Sequence, residues 1–279
     1  MKTSLFIFPN KDRSYFDIID EVQKVGFDGI ELYRACELLR PDTEAAEKIG
    51  EYAASKGVAI SCISVGANLW RDNPSEDILL LKRYVDVAKA LGTPYLHHTL
   101  GSVMRHKDMN LRYRCILSNI TKALREICGY AKEKGITVIN ENQGYITNGV
   151  PFFEELLSEI DFDNYGLVAD LGNILFTDCR PEAFVGRFAP FIKHVHVKDY
   201  LYKSGGGLFP GEEWMMTKEG NYLYDAVIGY GVIDFQKVFR ILKSAGYDGY
   251  FSMECGRETG LPHNIEKGLR NMKRYYENC

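Results

Sequence analysis

The feature that most restricts this chain is an alternation repeated along its whole length. Short runs of apolar, largely β-branched and aromatic residues each lead into a longer amphipathic stretch. The runs are Thr3–Phe8, Gly29–Tyr33, Ala59–Val65, Tyr95–Thr99, Thr137–Asn142, Gly166–Asp170, Lys193–Val197 and Gly249–Cys255. Near-continuous hydrophobicity over such lengths is what a parallel strand shows when both its faces are covered. Between them the spacing predicts helices at Ser14–Val25, Pro41–Lys56, Ser75–Leu91, Asn110–Lys134, Pro151–Glu159, Pro181–Phe188, Asp234–Ala245 and Pro262–Tyr276. Several end in the same device: Lys24-Val25-Gly26, Lys56-Gly57, Lys134-Gly135 and Ala245-Gly246. A basic or small residue in the last turn and glycine just beyond it stop a helix and pass the chain directly to the next strand.

Strand–helix units with right-handed crossovers either close into a barrel or wind both faces of an open sheet. No Gly-x-Gly-x-x-Gly follows Thr3–Phe8 and no P-loop is present, which argues against an open nucleotide-binding sheet. By length alone 279 residues suggest two domains, but α/β barrels use about 250 residues as one. No Pro-, Gly- or Ser-rich linker divides the sequence. The expected fold is therefore α/β: a single (β/α)8 TIM barrel over residues 1–279. Its one long insertion, Tyr200–Gly231, reads as an irregular loop after the seventh strand, too long for a plain connection. It would lie on the catalytic face as a lid, a substrate wall or an oligomer contact.

Lysine and arginine total 34 against 38 acidic residues, a formal charge of -4. That balance disfavours nucleic acid as a partner. No apolar run approaches the roughly 18 residues that span a bilayer, and Leu5–Phe8 is too short for a signal segment. The seven cysteines are scattered, with no Cys-x-x-Cys pair. Reduced thiols in a cytoplasmic protein are the simple reading.

In such a barrel the C-terminal strand ends are where chemistry is expected. Four consecutive strands finish on an ionisable group set in apolar sequence: Glu141, Asp170, His196 and Glu254. Alternation puts His194 and His196 on one face of their strand. Acidic side chains are rarely buried unless paired or bound to metal. Three carboxylates converging with one imidazole call for a cation between them. Hard oxygens with one nitrogen favour Mn²⁺ first, with Mg²⁺, Co²⁺ and Zn²⁺ also suited. The competing reading is a set of helix caps and isolated salt bridges.

The order Gly26-Phe27-Asp28-Gly29-Ile30-Glu31, Glu141, Asp170-Leu171-Gly172-Asn173, His194-Val195-His196-Val197-Lys198-Asp199, Gly229-Tyr230-Gly231-Val232-Ile233-Asp234 and Gly246-Tyr247-Asp248-Gly249 before Glu254 resembles the xylose isomerase-like barrel superfamily. Within it the chain looks most like the sugar-phosphate isomerase/epimerase-like branch, which includes ketose 3-epimerases, inosose isomerases and inosose dehydratases. The resemblance implies that Glu141, Asp170, His196 and Glu254 ligate a divalent metal, and that Glu141 and Glu254 exchange the α-proton of a carbonyl substrate. The chain departs from the ketose epimerases at Asn173, Thr147 and Tyr202, where they carry His, Glu and Arg. The metal set is kept and the substrate set is not.

Glu31 fits a substrate-hydroxyl contact in this family or a salt bridge to Arg34. Of His97 and His98, adjacent on one strand, at most one faces the mouth, and His98 is placed with the substrate. Trp70 is positioned to cover a sugar face or to wedge a loop. Lys198 and Arg257 are placed to meet an oxyanion or substrate anion. The expected activity is isomerisation or epimerisation of a keto-sugar or related polyhydroxylated carbonyl compound. Alternatives are a lyase on the same substrates, an apurinic endonuclease-like enzyme, or a non-catalytic sugar-binding barrel. A homo-oligomer paired through the long insertion is also compatible with the sequence.

Overall fold

A computed structural model of the chain describes residues 1–9, 12–109 and 112–279. Eight parallel strands close a barrel: β1 (Lys2–Phe6), β2 (Gly29–Tyr33), β3 (Ala59–Val65), β4 (Tyr95–His98), β5 (Thr137–Glu141), β6 (Tyr165–Asp170), β7 (Ile192–Val197) and β11 (Tyr250–Glu254). Each neighbours the next in sequence, and β11 pairs with β1 to complete the ring. Helices α1 (Tyr15–Val25), α2 (Thr43–Ser55), α3 (Ser75–Leu91), α4 (Tyr113–Lys134), α5 (Gly149–Glu159), α6 (Pro181–Phe188), α7 (Phe235–Ser244) and α8 (Pro262–Glu277) follow the barrel strands in turn. None is long and apolar enough to cross a membrane.

Local chemistry fixes the ends. Ser14 caps α1 by accepting from Phe16 N, and Gly26 closes it at φ 91, a left-handed conformation that costs glycine little. Asp42 caps α2 through Ala45 N, so that helix begins two residues after the predicted Pro41. The predicted start of the fourth helix at Asn110 lies outside the described residues, and its described part begins at Tyr113. The helices bury Ile18, Ile19, Val85, Ile120, Leu124, Phe153, Phe184 and Phe239 against the outward faces of the strands, where Val195 and Val197 of β7 join the same core.

The stretch Tyr200–Gly231 is not the irregular loop that its length suggests. Strands β8 (Asp199–Lys203), β9 (Met215–Met216) and β10 (Tyr222–Ala226) form a small antiparallel sheet in the order β8-β10-β9. The matching runs Tyr200-Leu201-Tyr202 and Tyr222-Leu223-Tyr224 pair across it, Leu223 opposite Tyr202 and Tyr224 opposite Leu201. Two carboxylates tie this sheet down. Asp178 accepts from Thr217 Oγ1 at 2.7 Å, Glu219 N at 2.8 Å and Asn221 Nδ2 at 2.9 Å. Asp199 accepts from the amides of Tyr200, Gly229, Gly231 and Ile233 at 2.8–3.3 Å. Residue 231 has to be glycine there, since a Cβ would stand 2.2 Å from Asp199 Oδ1.

Candidate metal and active site

Barrel interiors are ordinarily filled with branched apolar side chains. Here the register lines up polar ones instead. Ser252, His196 and Asp170 are lateral partners across β11, β7 and β6, and Ser64 and His97 are partners across β3 and β4. All five are buried.

At the C-terminal rim Glu141, Asp170, His196 and Glu254 each offer a ligand atom, all within 4.8 Å of one another. His196 Nδ1 is 3.2 Å from Glu141 Oε2, 3.2 Å from Glu254 Oε2 and 3.7 Å from Asp170 Oδ2. Each carboxylate is aimed by its surroundings. Asp170 Oδ1 is occupied by the amides of Gly172 and Asn173 at 2.9 and 2.7 Å, which turns Oδ2 inward. Asn142 clamps the Asp170 backbone, donating to its carbonyl and accepting from its amide at 3.0 and 2.9 Å. Gln143 donates to Glu141 Oε1 at 2.8 Å. Asn142 and Gln143 escaped the sequence reading, although both directly follow Glu141.

Lys198 bridges two of the acids, its Nζ 2.9 Å from Asp170 Oδ2 and 3.0 Å from Glu254 Oε1. Its stem crosses residue 172, where a Cβ would stand 2.5 Å from Lys198 Cγ, so only glycine leaves room. Burial opposes charge at Asp170, Glu254, His196 and Lys198, and the neighbours decide the outcome. Burial pushes the Asp170 carboxyl up to about 6. Glu254, somewhat more open, is held well below the usual carboxylate range by Lys198 and His196 despite its burial. Burial likewise disfavours a charged His196, yet Glu31 and the three rim carboxylates push that imidazole well above its ordinary value.

The arrangement fits a divalent cation on its own geometry. Asp170 Oδ2 and Glu254 Oε2 are buried and make no aligned hydrogen bond, facing Lys198 Nζ at 2.9 Å and His196 Nδ1 at 3.2 Å respectively. With three carboxylates set against one ammonium and one imidazole, a further cation would offset the remaining negative charge, and three carboxylates with one imidazole are a ligand set for a hard or borderline ion.

The remaining predicted residues fall elsewhere. Glu31 is not at the mouth. It is completely enclosed beneath His196, with its oxygens taken by His194, His196, Ser64 and Ser252, so the expected substrate contact is corrected, as is the salt bridge to Arg34. His98 points away from the cluster: its Nδ1 donates to the Thr99 carbonyl at 3.0 Å, and burial lowers its pKa to about 4. His97 is the inward member of that pair, its Nε2 4.0 Å from Glu141 Oε1. Strand alternation allows only one of the two inside, and β4 gives that place to His97. The Trp70 ring lies over Gly101 and packs on the core, the wedge reading. Arg257 is exposed and pairs with Glu213 of the insertion at 2.5 Å. A cavity of about 290 Å³ opens at this end, lined by Lys198, Glu254 and Arg257 together with Glu213, Met215 and Tyr224 from the insertion.

The family model for the xylose isomerase-like TIM barrel matches residues 19–275. The chain belongs to that family. Among curated relatives, inosose dehydratase 1 of Bacillus cereus is 28% identical over 159 residues, 56% of this chain and 52% of the relative. The chain thus spans about half the length of the curated relatives it matches. Among solved structures, a D-tagatose 3-epimerase-like protein superposes with a TM-score of 0.74 at 22% identity, over 99% of this chain and 97% of that one. A xylose isomerase-like TIM barrel protein from Mycobacterium smegmatis, solved in complex with magnesium, superposes with a TM-score of 0.70 at 20% identity, over 95% and 91%. At these identities the two structures share the fold with this chain.

Proposed function

We propose that the protein is a divalent-metal-dependent enzyme that moves a proton on a polyhydroxylated carbonyl compound, a keto-sugar or a close relative, with isomerisation or epimerisation as the outcome. The observation that carries this reading is the convergence of Glu141, Asp170, His196 and Glu254, which brings three carboxylates and one imidazole within 4.8 Å of one another. These four residues would hold the metal, Mn²⁺ being the first choice. When bound, such an ion stabilises negative charge on a substrate oxygen as the adjacent C–H proton leaves.

The chain's own groups do the rest. Glu254, the most open of the four ligands, lines the mouth cavity within reach of a bound substrate, and that position suits it to accept the proton. Glu141, across the cluster, is placed to return it on the other face; two working carboxylates give epimerisation. Lys198, 3.0 Å from Glu254, is placed to meet an oxyanion as it forms. The insertion, with Met215 and Tyr224 on the cavity, excludes water, and Arg257 binds the far end of the substrate. We place the protein in the cytoplasm, acting on a small carbohydrate rather than a nucleic acid or a membrane.

A lyase is the second reading, supported by the inosose dehydratases among the relatives. There the same proton abstraction is followed by loss of a β-hydroxyl. Incubating Mn²⁺-loaded protein with keto-sugars and inososes in D₂O separates the readings. Deuterium at the α-carbon with an isomeric product supports the first, and loss of water supports the second. No deuterium incorporation from any of these substrates contradicts both.

A further inference from the structure

Glu31 is a carboxylate sealed at the centre of the barrel, on the β2 side and below the rim. Its oxygens meet donors from four sides. Ser64 Oγ donates to Oε1 at 2.6 Å, and His194 Nε2 and Ser252 Oγ lie 2.8 and 2.9 Å from Oε2. His196 Nε2 lies 3.0 Å from both oxygens. An ionised carboxylate only accepts hydrogen bonds, so each of these partners must present its proton to it.

That requirement fixes three imidazoles. His194 carries its proton on Nε2, in keeping with a buried Nδ1 that has no partner. His196 likewise commits Nε2 to Glu31, which leaves Nδ1 as the atom facing Glu141, Asp170 and Glu254. Ser64, having donated to Glu31, has only lone pairs left for His97 Nδ1 at 2.9 Å. His97 therefore carries its proton on Nδ1, and its partnerless Nε2 offers a lone pair towards Glu141 Oε1.

We infer that Glu31 is the positioning residue of the site: one buried carboxylate fixes which nitrogen of three histidines holds the proton, and so presents His196 Nδ1 to the cation. The inference rests on the metal reading proposed above. Ring packing alone does not do this, because Phe6 and His97 hold the plane of His196, each with a ring centroid 5.2 Å away, without distinguishing its two nitrogens. A glutamine at position 31 would turn an amide N–H towards the same donors. The conflict is relieved when the His196 proton moves to Nδ1, the atom the cation needs.

The test is a Mn²⁺ titration of wild type, Glu31→Gln and Ser252→Ala, followed by the electron paramagnetic resonance of free and bound ion. Glu31→Gln should weaken Mn²⁺ binding by about 10–100-fold, the range seen when a partner behind a metal-bound histidine is lost, and should change the bound-ion spectrum. Ser252→Ala removes a donor without touching a ring and should leave both close to wild type. Long-range ¹H–¹⁵N spectra of the wild-type histidines should find the proton on Nε2 of His194 and on Nδ1 of His97, with His196 protonated at Nε2 in the Mg²⁺-loaded protein. A folded Glu31→Gln protein with wild-type affinity overturns the inference, as does His97 protonated at Nε2 or His194 at Nδ1. If Glu31→Gln does not fold, the wild-type proton positions decide. Wild type that binds no Mn²⁺ overturns the metal reading instead, while the His194 and His97 positions still judge Glu31.

Discussion

The two halves of the barrel do different work. Strands β5, β6, β7 and β11 end in Glu141, Asp170, His196 and Glu254, which meet at the rim with Lys198 across them. Strands β2, β3 and β4 contribute Glu31, Ser64 and His97, which lie buried in the barrel and hold the first half's imidazoles from behind. One half offers ligand atoms and the other decides which atom is offered. Buried charge is tolerated in both for the same reason, since every carboxylate has an imidazole or an ammonium within 4.0 Å.

The sharpest way to break this division is to remove a ligand from the rim. Glu141→Gln keeps the shape of the side chain but loses its charge, and it should abolish tight Mn²⁺ binding and lower turnover by about 10²–10⁴-fold. Metal analysis of the purified variant checks the first effect and steady-state kinetics the second. Retained metal with retained turnover would move the centre elsewhere. Next in size is the Glu31→Gln effect, confined to affinity and ion spectrum because all four ligands remain. The smallest effect belongs to His98, which faces outward from the barrel. His98→Gln should cost about 1–3 kcal/mol of stability through its lost buried hydrogen bond, measured by denaturant unfolding, with Mn²⁺ affinity unchanged. A loss of Mn²⁺ affinity there would mean that β4 presents the other histidine.

The same division marks what was legible in the amino-acid sequence. The barrel could be read because each strand is short and apolar and each helix carries its own stop, as at Gly26 and Gly135. The rim acids could be read because Glu141, Asp170 and Glu254 stand at strand ends, where an apolar run turns polar. Glu31 instead stands in the middle of its strand, between Ile30 and Leu32, and its depth depends on the register of β2 against β3, where the pairing shifts between Ile30 and Glu31. No sequence pattern reports such a shift. The choice between His97 and His98 was hidden for another reason. A strand covered on both faces has no polar side to set the phase of its alternation, and β4 has only four residues. The small sheet of the insertion did leave a signal, the repeated Tyr-Leu-Tyr of β8 and β10, which its glycine-rich surroundings obscured.

Anomalous diffraction from crystals soaked in Mn²⁺ tests the central claim most directly. The account predicts one strong peak inside the barrel mouth, bound by Glu141, Asp170, His196 Nδ1 and Glu254, with His196 Nε2 still on Glu31. A peak that leaves out two or more of these residues, or no peak at a saturating concentration of the ion, would contradict it.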